Sequence, residues 1–464
     1  MKTLNYNPLS LIKFFFFFLI QYYLINSKVI FVFEHVRHGT RTPPFSEDSS
    51  YTDQFGTKWE GDGELTVIGK RMHYILGIQN RLKYFSLINF NKLDPKEIQI
   101  FSTNSVRTLK SLQAQLHGMY LPGTGDSLSD NEKEISFPPG KEYLPDDVIE
   151  EVENMDNFTI YNGVNTFPIQ FFPTGKVFLN EPDNCPYMTK YREQLKQKTN
   201  ESLTKFMKEF DEKYGDKLKE YLNRPNKDFI YIYDSLIDIT DNYICNYDNG
   251  KNLSDFLTKT GFNKEEFYNS CIEVKMFYLF NLSCDQKAGL IGATPHMSDL
   301  INYMEKKIKD ENKITYSEPK MVIQGGHDTT INTIQFFMQK SFGIPLRYIK
   351  FGANIYFELH KEENNNENKY IVKYFYDGKL LLEEDYNSFK KKVIENILSE
   401  EKIHDFCFQE KKANEDECDN NSSGIYILIA TNLFFVMTTA IFAILFFYYK
   451  KKVTSELKNE KLVE

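Results

Sequence analysis

Three short apolar runs constrain this chain more than any other feature, because each one ends in a polar stretch containing glycine or serine. Val29 to Phe33 reads Val-Ile-Phe-Val-Phe; Ile98 to Phe101 and Lys320 to Ile323, centred on Met321-Val322-Ile323, resemble it. Continuous apolar runs of this length suit strands buried on both faces, as in a parallel sheet. They lead into Arg37-His38-Gly39, Ser102-Thr103-Asn104 and Gly325-Gly326-His327-Asp328. Helical periodicities accompany them: Val106, Leu109, Leu112 and Leu116 after the second run, and Leu65, Ile68, Met72, Ile75 and Leu76 after Gly63. Strand, polar turn and helix in repetition predict an α/β fold, an open, mostly parallel sheet flanked by helices. In such sheets ligands bind beyond the carboxyl ends of the strands, so three loops far apart in sequence should meet at one crevice.

From about 125 to 300 the pattern changes to Tyr, Phe, Asn and charge, with Leu203, Phe206, Met207, Phe210 and Tyr214 on one helical face. This stretch is expected to be a mainly helical inserted cap. Ile355 to His360 and Lys369 to Tyr376 predict a late hairpin across an Asn-rich turn. With 41% apolar and 15% aromatic residues a large core is feasible, and a net charge of −9 argues against a nucleic-acid partner.

The two ends read as targeting segments. Lys2 and Lys13 precede the apolar run Phe14 to Ile25, so residues 1–27 are expected to be a secretory signal. Ile425 to Tyr449 carries no charge and is long enough to be a transmembrane helix; Lys450, Lys451 and Lys452 follow it and mark a cytoplasmic tail, 450–464. The expected topology is single-pass type I, with residues 28–424 lumenal or extracellular, membrane-anchored by 425–449. Lysosome or vacuole and cell surface both remain open, as does the oligomeric state, a homodimer included. Six cysteines in such a compartment allow up to three disulfides, in fifteen pairings. Glycosylation sequons at Asn157, Asn200, Asn252, Asn281, Asn420 and Asn421 all fall on the outer side.

The chain has 48 Lys and only 8 Arg, so its use of Arg is informative. Arg offers a planar fork that grips phosphate or carboxylate through two hydrogen bonds. Arg37 and Arg41 flank His38 in Arg-His-Gly-Thr-Arg-Thr-Pro. Two guanidinium groups should depress the His38 pKa and keep the ring neutral and nucleophilic, while holding an anionic electrophile. Gly39 is expected to let backbone approach the ligand, and Pro43 to stiffen the exit. Arg107 at a helix start opposes the helix dipole unless an anion lies between them. No Asp/His cluster with metal spacing accompanies these motifs, so neither a metal nor a cofactor is expected.

Arg37-His38-Gly39-x-Arg41-x-Pro43 resembles the signature of the histidine acid phosphatases, a branch of the histidine phosphatase superfamily. Gly325-Gly326-His327-Asp328-Thr329-Thr330 resembles their C-terminal His-Asp motif, Ser102 to Thr108 their third Arg segment, and Trp59 with Gly63-Glu64-Leu65-Thr66 and Gly69 their Leu-Thr-x-x-Gly helix start. Asn184-Cys185-Pro186 resembles a family cysteine site. The resemblance implies an acid phosphatase acting on phosphate monoesters. His38 would form a covalent phosphohistidine, with net retention at phosphorus. Arg37, Arg41, Arg107 and His327 would bind the phosphate. Asp328 would protonate the leaving oxygen, which acidic pH should favour, and then assist the attacking water. Asn104 stands where the family more often has Asp. A phytase or a lipid-phosphate phosphatase is the alternative reading; a vestigial surface scaffold and a phosphotransferase rank below it.

Overall fold

The computed structural model describes residues 27–44, 50–139, 141–172, 185–223, 233–310, 318–364 and 367–408. Most of the signal segment and the apolar run 425–449 lie outside the described residues. Among the described residues no helix is long and apolar enough to cross a membrane.

The strands are β1 (Ser27–Arg37), β2 (Ser50–Thr52), β3 (Lys58–Glu60), β4 (Ile98–Ser102), β5 (Ile169–Phe171), β6 (Met321–Gly326), β7 (Asn354–Asn364), β8 (Glu367–Tyr376) and β9 (Lys379–Asp385). Seven form one sheet in the order β5-β4-β6-β1-β7-β8-β9. β5, β4, β6 and β1 run parallel, whereas β7, β8 and β9 add an antiparallel wing. The three apolar runs are thus adjacent strands at the centre. β6 is buried at every position and β1 from Ile30 onward, because helices cover both faces of the sheet. The late hairpin is β7–β8; β9 and the edge strand β5 carry too weak an alternation to be read from sequence.

The principal helices are α1 (Val67–Tyr84), α2 (Val106–Met119), α3 (Asn200–Phe210), α4 (Tyr233–Asp248), α5 (Lys264–Phe277), α6 (Gln286–Asp310), α7 (Asp328–Phe342) and α8 (Tyr386–Asn396). Val32, Val36, Ile98, Ile100 and Ile323 pack with Leu112 and Leu116 of α2 on one face of the sheet. Phe31, Phe33 and Val322 pack with Met297, Leu300, Ile334 and Phe389 of α6, α7 and α8 on the other. A separate aromatic core joins Leu203, Met207, Phe210, Tyr214, Tyr243, Phe256 and Phe267; Trp59 and Phe351 enter it from the sheet side. Two parts of the 125–300 stretch therefore belong to the sheet layers rather than to this helical core: β5 as an edge strand, and α6.

One periodicity misleads. Along α1 the buried residues are Gly69, His73, Gly77, Asn80 and Tyr84, whereas Ile68 and Ile75 are exposed. α1 crosses α2 by backbone approach: a Cβ on Gly77 would fall 1.9 Å from the Gln115 carbonyl oxygen, and one on Gly118 2.1 Å from that of Tyr74. Close packing selected small and polar residues for the most buried face; of the apolar stripe, Leu65 is buried and Met72 and Leu76 are packed at its margins.

One disulfide is found among the described residues. Cys185 and Cys407 form a disulfide, but Cys245, Cys271 and Cys284 are free and buried, and Cys418 lies outside the described residues. The three free thiols serve as apolar filling, two of them in the helical core.

Candidate active site

Sheet register builds the site. Arg37 lies opposite Gly326 across β1–β6, and Ser102 opposite Gly325 across β4–β6. The next residues of all three strands, His38, Thr103 and His327, therefore emerge together at the carboxyl edge. His38 N–H donates to the Gly326 carbonyl (3.1 Å) and Thr103 N–H to that of Gly325 (3.2 Å), which ties the loops to one another.

The first loop is seated on α1. A Cβ on Gly39 would meet the Gly69 carbonyl oxygen at 2.4 Å, and one on Gly69 the Thr40 carbonyl oxygen at 2.2 Å. Gly39 is thus required by the approach of the helix. Thr66 caps α1 by accepting from Gly69 N–H (3.1 Å), and its hydroxyl donates to the Thr40 carbonyl (3.1 Å).

His38 is buried, and its Nδ1 lies 2.9 Å from the Gly39 carbonyl oxygen. A carbonyl only accepts, so the proton of the neutral ring sits on Nδ1 and Nε2 keeps its lone pair. The neutral form is strongly favoured: burial first, then Arg37, His327, Arg107 and Arg41, push the pKa well below its ordinary value. Burial outweighs the neighbouring guanidinium groups in this, which the sequence alone does not reveal.

The cations are held in place individually. Arg37 donates through Nη1 to the Ile349 carbonyl (2.7 Å), pairs through Nη2 with Asp328 (3.0 Å), and stacks 4.1 Å from the centre of the Phe351 ring. Arg41 pairs with Asp241 of α4 at 3.1 Å and donates to the Thr42 carbonyl (3.0 Å). Arg107 Nη2 lies 3.5 Å from His327 Nδ1, and its buried Nε has no protein partner. Burial and then Arg41 lower the Arg107 pKa, a measure of how closely like charges are gathered there.

His327 lies with its ring centre 5.4 Å from that of His38, edge to face. Thr103 Oγ1 donates to Thr108 Oγ1 (3.2 Å), so it accepts from His327 Nε2–H (3.1 Å), and Nδ1 is the accepting nitrogen facing Arg107. Burial and Arg107 bring its pKa down to about 4, so the ring is neutral. Asp328 opens α7. Burial would raise its pKa, but Arg37 and then Lys275 outweigh burial and hold the carboxyl well below the usual carboxylate range. Arg37 and Lys275 thus favour the ionised form of Asp328.

All six motif residues, 37, 38, 41, 107, 327 and 328, are thus brought to one hollow. Sequence reasoning missed Asp241 of α4, Lys275 of α5 and the Phe351 ring. Asp241 is one of many acidic residues and Lys275 one of 48 lysines, and neither carries a motif. Lys275 Nζ lies 3.3 Å from Asp241 Oδ1 and 3.7 Å from Asp328 Oδ2. Burial raises the Asp241 pKa, but Arg41 and Lys275 outweigh it and bring the carboxyl down to about 2.

His73, behind the first loop, supports it. Its Nε2–H donates to the Arg37 carbonyl (3.0 Å), and its Nδ1 lies 3.1 Å from the Gln115 side-chain oxygen. The other end of that amide is 2.8 Å from Glu34, which also meets Asn80 and Tyr356. Burial lowers the His73 pKa to about 4 and raises that of Glu34 to about 7. Gln115 donates from Nε2 to Glu34 while its Oε1 faces His73 Nδ1, so Glu34, Gln115 and His73 form one buried polar chain behind the first loop. In the signal available from sequence, His73 falls between Gly69 and Gly77, each four residues away on the same helical face.

The family model of the histidine phosphatase superfamily (branch 2) matches residues 28–377, and the chain belongs to that family. Lysosomal acid phosphatase of Xenopus laevis is 24% identical over 333 residues, 71% of this chain and 66% of the frog protein, just under two thirds of its length. Lysosomal acid phosphatase of Bos taurus is 33% identical over 106 residues, 22% of this chain and 23% of the bovine one. Among solved structures, the apo form of the Hafnia alvei phytase is similar in fold, with a TM-score of 0.52 at 12% identity over 80% of this chain and 98% of that one.

Proposed function

We propose that the chain is an acid phosphatase that hydrolyses phosphate monoesters through a phosphohistidine on His38. The observation that carries this reading is the His38 ring: neutral, buried, its proton fixed on Nδ1 by Gly39, its Nε2 free among three guanidinium groups. Nε2 attacks phosphorus as the P–O bond to the leaving alkoxide breaks. Arg37, Arg41 and Arg107 bind the phosphoryl oxygens and stabilise their charge in flight. Asp328, protonated once phosphate replaces it on Arg37, gives its proton to the alkoxide. In the second half it takes a proton from the water that displaces Nε2.

Charge favours a single phosphate. Four cations (Arg37, Arg41, Arg107 and Lys275) face two carboxylates (Asp241 and Asp328), and both imidazoles are neutral. The two positive charges left over match one phosphate dianion, whereas a phytate site would need more. The proposed organisation is a signal at 1–27, a catalytic region at 28–424 with its helical cap, a membrane anchor at 425–449 and a cytoplasmic tail at 450–464. The apolar run, the flanking lysines, the sequons and the disulfide support it, as does the name of the lysosomal relatives for a lumenal site. Exposed Asn157, Asn200 and Asn252 would carry glycans.

The test is hydrolysis of p-nitrophenyl phosphate, an alkyl phosphate and phytate by the purified full-length chain across pH. Release of phosphate from the simple esters at acid pH, abolished by His38→Ala, is expected. Preference for phytate moves the reading to its alternative, and inactivity on all three refutes it.

A further inference from the structure

The charges of the site form a chain that leaves the sheet, crosses the cap and returns. Arg37 meets Asp328 at 3.0 Å, Asp328 meets Lys275 at 3.7 Å, Lys275 meets Asp241 at 3.3 Å, and Asp241 meets Arg41 at 3.1 Å. Signs alternate along its whole length, and Lys275 and Asp241 come from cap helices that hold none of the motifs. Taking a lysine ammonium out of water costs several kcal/mol, roughly, unless carboxylates compensate it. Here two do: burial alone would lower the Lys275 pKa, but Asp241 and Asp328 outweigh it and raise it.

Substrate changes this chain at one link. A phosphate dianion competes with Asp328 for Arg37 Nη2. Arg37 cannot follow Asp328 away, because Nη1 is fixed on the Ile349 carbonyl and the guanidinium lies on Phe351. Once Arg37 turns to phosphate, Asp328 keeps Lys275. The other charged or titratable groups facing Asp328 are His327 beside it, Arg41 from the first loop, Arg107 from α2, Asp241 from α4 and Tyr348 from the loop before β7. The arginines are engaged by phosphate or by Asp241, so Lys275 is the cation left to act on the carboxyl.

We propose that Lys275 is a positioning residue for the reaction. Fixed by Asp241, its ammonium keeps the Asp328 carboxyl at the leaving oxygen and sets the pH above which that carboxyl no longer donates. In the first half-reaction the Asp328 O–H bond breaks as the alcohol O–H bond forms, and the new carboxylate rests on Lys275. In the second, water returns a proton to the same oxygen. The inference rests on the phosphatase reading and on Asp328 as its acid.

The test compares full-length Lys275→Met and Lys275→Arg with the native chain, measuring kcat against pH for an alkyl phosphate and for p-nitrophenyl phosphate. An opposite charge this near shifts a carboxyl by about one pH unit or more. The alkaline limb of kcat in Lys275→Met should therefore move up by about one pH unit. Its plateau should fall several-fold for the alkyl ester, which needs the proton, and little for the aryl ester, which does not. Lys275→Arg should restore the native limb. Lys275→Gln, which can still hydrogen-bond Asp241, serves if the Met variant does not fold. A limb that stays at the native pH in any folded neutral variant overturns the proposal. If the native chain lacks activity, or if activity survives His38→Ala, it is the phosphatase reading that fails instead.

Discussion

The sheet and the cap contribute to the same hollow in different ways. On the sheet side, Arg37, His38, Arg107, His327 and Asp328 sit at strand ends or the first turns of helices, tied by backbone register and by glycine contacts that admit no Cβ. On the cap side, Asp241 reaches in from the middle of α4 and Lys275 from the last turn of α5, held by side-chain ion pairs and hydrogen bonds. Chemistry that needs a fixed geometry has been placed on backbone, and adjustment of that chemistry on side chains. Substitutions on the sheet side should therefore cost orders of magnitude, and those on the cap side small factors and shifts in pH.

The largest effect is expected for His38→Ala. Turnover should fall by at least about 10³-fold while the ester still binds, read from single-turnover rates and inhibition by inorganic phosphate. A cap substitution of equal cost would erase the distinction between the two sides. Asp328→Asn follows, with a loss of about 10²-fold or more for an alkyl phosphate and a much smaller one for p-nitrophenyl phosphate. Equal losses on both esters would remove Asp328 from the proton's route.

Two stability measurements probe how the sheet side is fixed. Glu34 has its carboxyl raised by burial from 4.5 to about 7. The folded chain therefore binds more protons than the unfolded one between those values. Its contribution is fully present below pH 4.5 and lost as pH rises through 7, a change on the order of 3 kcal/mol. Denaturant unfolding of Glu34→Gln should lose that slope, and an unchanged slope would clear Glu34 of it. Gly77→Ala in a helix would ordinarily stabilise by about 1 kcal/mol. Here the added methyl meets the Gln115 carbonyl, and a destabilisation of about 2 kcal/mol is expected from the same assay.

The difference between the two sides also explains what could be read from sequence. Arg37, His38 and Arg41 declare themselves because a scarce residue type brackets a histidine at a strand end, and His327-Asp328 because two glycines precede it after another strand. Their convergence follows from parallel pairing, which buried β1, β4 and β6 impose. Periodicity was only half right where backbone, not side chain, makes the contact: Met72 and Leu76 pack on the cores, but Ile68 and Ile75 are exposed, and Gly69, His73 and Gly77 carry the approach to α2 and the first loop. Asp241 and Lys275 left no trace, because nothing local distinguishes a charge that answers another one far along the chain, 200 residues for Asp241 with Arg41 and 34 for Lys275 with Asp241. Which cysteines pair was not legible for a related reason: Cys271 fills an aromatic core and Cys245 lies beside Arg41, positions decided by tertiary packing.

The central claim, that Nε2 of a neutral His38 accepts the phosphoryl group, is tested most directly by trapping. The full-length chain is mixed with phosphorus-labelled p-nitrophenyl phosphate and quenched in alkali, where phosphohistidine persists, and the labelled peptide is sequenced. The account predicts about one label per active chain, on His38, with a matching burst of p-nitrophenol. A chain that turns over ester with no label, or with label on any other residue, would contradict it.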